Sequence, residues 1–191
     1  MSHSVSQTAT VRNRAQDYSL NAALIVGASF LVGASAHLSI PIPGTPVPLT
    51  VQNLAVLVVG LALGPWRGFA ALSLYLIEGA SGMPVFSPTG PGGIAQLVGP
   101  TGGYLISYPF VAALVGYIAH MGKQSFLRAA GACVAGEILL FTCGLSWLYT
   151  MTHSVKTAIA LGLYWFVFAE VIKIMLAAGA RKTWQHVFPR V

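Results

Sequence analysis

In the stretch FVFAEVIKIMLAAGA, residues 166–180, two charged side chains stand three positions apart among apolar neighbours, Glu170 and Lys173. Residues at that spacing share one face of a helix, and Phe166 and Ala177 extend the same stripe at helical intervals. A charge near the middle of a bilayer costs about 3 kcal/mol or more, so ionisable groups in membrane segments face the protein interior and mark candidate sites. One acceptor beside one cation suits a small molecule with donor groups at one end and an anionic group at the other. The plainer alternative is an ion pair that only neutralises itself inside the bundle, and such pairs add little stability. Glu137, in AGEILLF, and Glu78 are the other acids within apolar sequence. Each either lines the same cavity or hydrogen-bonds a neighbouring helix as packing glue.

These side chains need a membrane bundle to hold them. Only 7% of the residues are charged and 55% are hydrophobic, which points to an all-α integral membrane protein rather than a soluble domain. Apolar segments run approximately over residues 20–40, 51–63, 69–80, 102–121, 129–149 and 157–180, so a six-helix bundle is expected. The second and third are short, with only GPWRG between them. Residues 1–19 are expected to form a disordered cytoplasmic tail, 20–183 the membrane domain and 184–191 a second cytoplasmic tail.

The net charge of +6 could suggest nucleic acid, but the basic residues flank apolar segments instead of clustering with aromatics. They report topology. With both termini inside, Arg12, Arg14, Arg67, Lys123, Arg128, Arg181, Lys182 and Arg190 fall on the cytoplasmic side and only Lys156 falls outside. Residues 39–50 and 83–101 are then external. Both are rich in proline and glycine, carry no charge, and contain apolar side chains that predict ordered coil packed back onto the bundle.

Cys133 and Cys143 lie about 15 Å apart along one helix and cannot bridge. The histidines sit at helix ends and in the tails without shared spacing, so no metal site is expected. No cofactor is implied. In the first helix, Ala23 with Gly27 and Ser29 with Gly33 are small residues four apart that allow close approach by another helix, internal or from a partner.

One long pattern is specific. Thr-Pro-Val-Pro followed by Thr50 and Gln52, Gly64-Pro65 with Arg67, Gly82-Met83-Pro84-Val85, and Gly99-Pro100-Thr101-Gly102-Gly103-Tyr104 resemble the biotin-specific S components of energy-coupling-factor (ECF) transporters, the BioY family. The resemblance covers about residues 40–109 and extends more weakly through Gly136-Glu137 to Glu170 and Lys173. It implies a subunit embedded in the bacterial cell membrane that captures biotin from outside. It also implies a transmembrane coupling subunit that docks on the small-residue first helix, and two cytoplasmic ATPase subunits.

Carried over by position, Glu170 takes the place of the family's usual aspartate and Lys173 that of its lysine. Thr50, Gln52 and Tyr104 become candidates for neutral hydrogen bonds and ring contact, with Glu137 as a further substrate-binding candidate. Some members have an arginine before the Gly-Gly of the long outer loop, where this chain reads Gly90-Pro91-Gly92-Gly93.

A different class of function is an autonomous ion-coupled secondary transporter of a small amphiphilic anion or vitamin, working through Glu137, Glu78 or Glu170, singly or as a homo-oligomer. No internal repeat supports it. An enzyme is disfavoured, because no serine or cysteine nucleophile stands in a motif with a base. No Gly-rich segment ends in Gly-Lys-Ser or Gly-Lys-Thr, so ATP hydrolysis would belong to partners.

Overall fold

The structure is a computed structural model that describes the backbone of residues 2–122 and 125–187 and the side chains of residues 16–122 and 125–181. Five long helices dominate it: α1 Ser2–Ala36, α2 Gln52–Ala80, α4 Gly102–His120, α5 Phe126–Thr152 and α7 Val167–Val187. Two short ones, α3 Gly93–Val98 and α6 Val155–Gly162, stand before α4 and α7. In the first outer segment β1 Ser39–Ile40 pairs antiparallel with β2 Leu49–Thr50. By length and apolarity four helices can cross a membrane, α1 from Gln16, α2, α4 and α5; α6 and α7, bent by 51° at a short break, make a fifth together.

Helix α1 starts at Ser2, where the sequence predicts a disordered tail up to residue 19. No glycine or proline between Ser2 and Leu20 stops the helix from continuing past the apolar stretch. Helix α7 likewise runs beyond residue 184 to Val187.

Helix α2 is not straight. Gly64 takes φ 78° and ψ −176°, a conformation open only to glycine, and Pro65 follows it. Gln52 Nε2 donates to the Tyr75 hydroxyl at 2.7 Å. Along an unbroken helix the 23 residues between them would span about 35 Å. The chain therefore doubles back at Gly64, giving arms 52–63 and 65–80, as the GPWRG punctuation suggests.

Both arms lie on α4. A Cβ on Gly60 would sit 2.7 Å from the Ala112 carbonyl oxygen, and one on Gly116 would sit 2.5 Å from the Gly64 backbone. Small residues thus let the hairpin and α4 touch backbone to backbone. Val111, Ala112, Val115 and Ala119 of α4 are fully buried, so α4 is the inner column of the bundle.

The last span departs from expectation. Instead of one helix over 157–180, the chain breaks between Gly162 and Val167. Leu163 and Tyr164 both donate to the Ile159 carbonyl, and Phe166 donates to that of Leu163. The carbonyls of Leu161 and Gly162 are instead taken from outside the helix, by Thr45 Oγ1 at 2.5 Å and by the Tyr104 hydroxyl at 2.9 Å.

The outer segments do pack onto the bundle, through buried Val47, Val85 and Phe86, while Ile40, Ile94 and Val98 stay exposed. Phe86 packs edge-on against Tyr75, over Gly79. On α1 the small residues divide by face: Ser29 is buried and donates to Glu78, Gly33 lies against Val85, and Ala23 and Gly27 are exposed. Glu78 is therefore held by α1 and does not line the cavity described next. Cys133 and Cys143 are both free thiols.

Candidate functional site

Beneath the outer segments lies a partly open cavity in which the centre of a water-sized sphere can move through about 60 Å³. Its wall residues come from the first outer segment, from α2, from the second outer segment, and from α4, α5 and α7. Its floor is polar. Lys173 Nζ donates to Glu170 Oε1 at 2.7 Å, and Asn53 Nδ2 donates to Glu170 Oε2 at 2.7 Å. The same Nδ2 donates to Glu137 Oε1, also at 2.7 Å.

Three helices meet here for local reasons. Asn53 lies in the first turn of α2, next to the strand that delivers it. Glu170 lies in the first turn of α7, its N–H donating to the Phe166 carbonyl just after the break. Glu137 lies in the middle of α5, where neighbouring Gly136 lets Val115 of α4 come close; a Cβ there would be 2.5 Å from Val115.

Glu137 and Glu170 are each only 6% exposed. Buried carboxylates in a membrane protein are costly unless hydrogen-bonded and paired. Lys173 and the Asn53 amide supply that pairing for Glu170. Glu137 has only the Asn53 amide, and its Oε2 finds no hydrogen-bond partner among the described residues. Chemically the floor can accept N–H groups through Glu170 and donate to a carbonyl through Lys173.

The walls are aromatic and apolar. Tyr104, Tyr108, Phe141, Phe166, Leu105 and Leu140 line them. Tyr104 is fixed at both ends: its ring sits over Gly144, where a Cβ would be 2.2 Å away, and its hydroxyl donates to Gly162. Phe141 meets the Tyr104 ring edge-on. The mouth is neutral, formed by Val47, Pro48, Thr50, Ser87, Gln96 and Thr101. Gln96 is buried, and its Oε1 accepts from the Gly92 N–H at 3.1 Å, clasping the glycine turn.

The structure brings together most of the residues singled out from sequence. Glu170, Lys173, Gln52, Thr50 and Tyr104 all line the cavity. Glu137 does not; it stands behind Asn53. The charged pair is a real ion pair, as the self-neutralising alternative has it, but it is one that borders open space.

Asn53, Tyr108, Ser87 and Gln96 escape sequence reasoning. An amide in the apolar run after Gln52 is the signal that could have found Asn53. Among the described residues no three His, Cys, Asp or Glu side chains are grouped to hold a metal ion.

Comparison with known proteins places this geometry in context. Residues 5–190 match the family model described as BioY family. The biotin transporter BioY of Thermotoga maritima is 36% identical over 148 residues, which cover 78% of this chain and 85% of that protein. The probable biotin transporter BioY of Pyrococcus horikoshii is 36% identical over 164 residues, 86% of this chain and 93% of that protein. The crystal structure of the S-component for biotin from an ECF-type ABC transporter superposes with a TM-score of 0.81 at 24% identity, covering 90% of this chain and 93% of that one. A family model matched over residues 5–190, with relatives 36% identical over most of both chains, leaves one assignment: the chain belongs to the BioY family.

Proposed function

We propose that this multi-pass membrane protein is the biotin-capturing subunit of an ECF-type importer, taking the vitamin from outside the cell. The observation that carries the proposal is the cavity floor, where Glu170, Lys173 and Asn53 meet below loops that leave a path to the exterior. Biotin has a ring urea with two N–H donors flanking a carbonyl, an apolar bicycle and chain, and a carboxylate. Acceptors and an ammonium at the floor suit the urea, and the tyrosine and phenylalanine walls suit the apolar middle. The carboxylate belongs at the mouth, away from Glu170 and Glu137, where Ser87, Thr50, Thr101 and the Gln96 amide are neutral hydrogen-bonding groups. No cation stands in the Gly90–Gly93 turn, so these groups replace the loop arginine of some relatives.

In this proposal six helices cross the membrane: α1, the two arms of α2, α4, α5, and the α6–α7 pair. Both termini are cytoplasmic. The doubling back at Gly64 supports that count, and the charges support the orientation. Gly64 lies near His120 and is followed by Arg67, and Arg128 reaches Gly122, so the basic residues gather at the end opposite the cavity mouth. The partners are a transmembrane coupling subunit and two cytoplasmic ATPases, with the exposed Ala23 and Gly27 face of α1 as the docking surface. The protein itself is then not an enzyme.

Titration calorimetry of the purified full chain with biotin, without ATP, tests the proposal. Tight one-to-one binding is expected, and loss of binding in Lys173→Ala. Biotin heats at the level of the buffer blank, from a monodisperse sample, would overturn it. An ion-coupled carrier working alone is distinguished by uptake into proteoliposomes that contain no ATPase.

A further inference from the structure

Both hydrogens of the Asn53 amide are committed, one to Glu137 Oε1 and one to Glu170 Oε2, each at 2.7 Å. Both partners are carboxylate oxygens, so the amide cannot be turned over: its carbonyl oxygen would then face two acceptors. The remaining group, Asn53 Oδ1, is buried and has no hydrogen-bond partner among the described residues. Asn53 lines the cavity and Glu137 does not.

We propose that Asn53 Oδ1 is a specificity-determining acceptor that reads one ring N–H of the ligand, and that Glu137 is a positioning residue acting only by holding the Asn53 amide. The substrate class is a cyclic urea or lactam bearing an N–H beside its carbonyl. This deepens the biotin proposal and rests on it. Glu170 reads the second N–H, and Lys173 meets the carbonyl. Two acceptors and one donor are thus offered, the number that a urea's two N–H groups and one carbonyl call for. Glu137 explains why Asn53 is fixed: with Glu170 alone, one amide hydrogen would be free, and Asn53 could rotate to offer that N–H in place of its oxygen.

The test compares biotin with the two isomers of mono-N-methyl biotin, each of which blocks one ring N–H. Affinities are measured for the full-length protein and for Asn53→Ala, Glu137→Leu, Glu137→Gln and the Asn53→Ala/Glu137→Leu double variant. The wild type is expected to reject both isomers. Asn53→Ala should lose about tenfold or more for biotin, as expected for one buried hydrogen bond. It should also bind one of the two isomers nearly as well as it binds biotin. Glu137→Leu should show the same relaxed preference, the double variant should be no weaker than the worse single one, and Glu137→Gln, which keeps an acceptor, should restore discrimination.

The ratio of two ligands' affinities does not depend on how much of a preparation is folded, so a stability defect cannot imitate this result. Retention of the wild-type ratio in Asn53→Ala or in Glu137→Leu, or strictly additive losses in the double variant, would overturn the proposal while leaving biotin binding intact. Failure of the wild type to bind biotin would instead remove the reading beneath it.

Discussion

The two ends of the cavity are built on different principles. At the floor, Asn53, Glu170, Lys173 and the supporting Glu137 are side chains on three helices, locked by charge-assisted bonds of 2.7 Å. At the mouth, Val47, Ser87 and Gln96 are buried residues of coil and of a six-residue helix, held by a few neutral bonds to glycine and threonine. Helices of this length are anchored by many neighbours, whereas loop segments open locally at small cost. The ionisable groups at the floor are therefore held on helices, and the neutral groups at the mouth are carried mostly on loop segments.

Replacing residues at each end sharpens that contrast. The largest effect on binding is expected from Lys173→Ala, which removes the ammonium proposed to meet the ligand carbonyl and leaves Glu170 buried without its cation. Truncating one partner of a buried, hydrogen-bonded charge pair at a binding site typically costs about 2–5 kcal/mol, so calorimetry should show biotin affinity falling roughly thirtyfold or more.

Next comes Gly64→Ala, which acts on the scaffold and not on the ligand. A residue with a Cβ forced into that conformation costs about 1–3 kcal/mol, read as a lower thermal midpoint with ligand selectivity unchanged. At the mouth, Gln96→Ala removes the clasp on Gly92 and a donor to the carboxylate. A loss near 1 kcal/mol, or about fivefold, is expected, with association and dissociation of biotin both altered in stopped-flow measurements. A Gln96→Ala defect as large as that of Lys173→Ala would abolish the distinction between the two ends. The smallest effect on binding belongs to Gly27→Leu on the exposed face of α1. Biotin titration should be unchanged while co-purification with the coupling subunit is lost.

Charge scarcity made the floor partly legible. In so apolar a chain Glu170 and Lys173 could hardly be anything but interior, and their spacing put them on one face. Asn53 is hidden because it is neutral and adjoins Gln52, which belongs to the recognisable motif. For Glu137 the sequence leaves cavity lining and a bond to a neighbouring helix both open, and the Asn53 bond answers to the second; spacing along one helix cannot say which neighbour stands in front of it.

The hairpin at Gly64 was legible because glycine and proline mark it locally. The break after Gly162 was not, because it depends on bonds from Thr45 and Tyr104, which lie 116 and 58 residues away in sequence from the carbonyls they reach. The small residues of α1 read as two like pairs, each four apart, yet Ser29 and Gly33 turn inward while Ala23 and Gly27 turn out. That division follows from the 100° step of the helix together with packing partners that only the fold supplies.

The grip of Thr45 and Tyr104 on the two freed carbonyls has a mechanical consequence. One hand belongs to the outer loop and the other to the cavity wall, so the entrance and the wall share one anchoring stretch of chain. Releasing the Thr45 tether forfeits roughly one hydrogen bond, about 1 kcal/mol net, within reach of thermal agitation. Through Leu161 and Gly162 the entrance loop and the cavity wall are thus moored to one short stretch of chain.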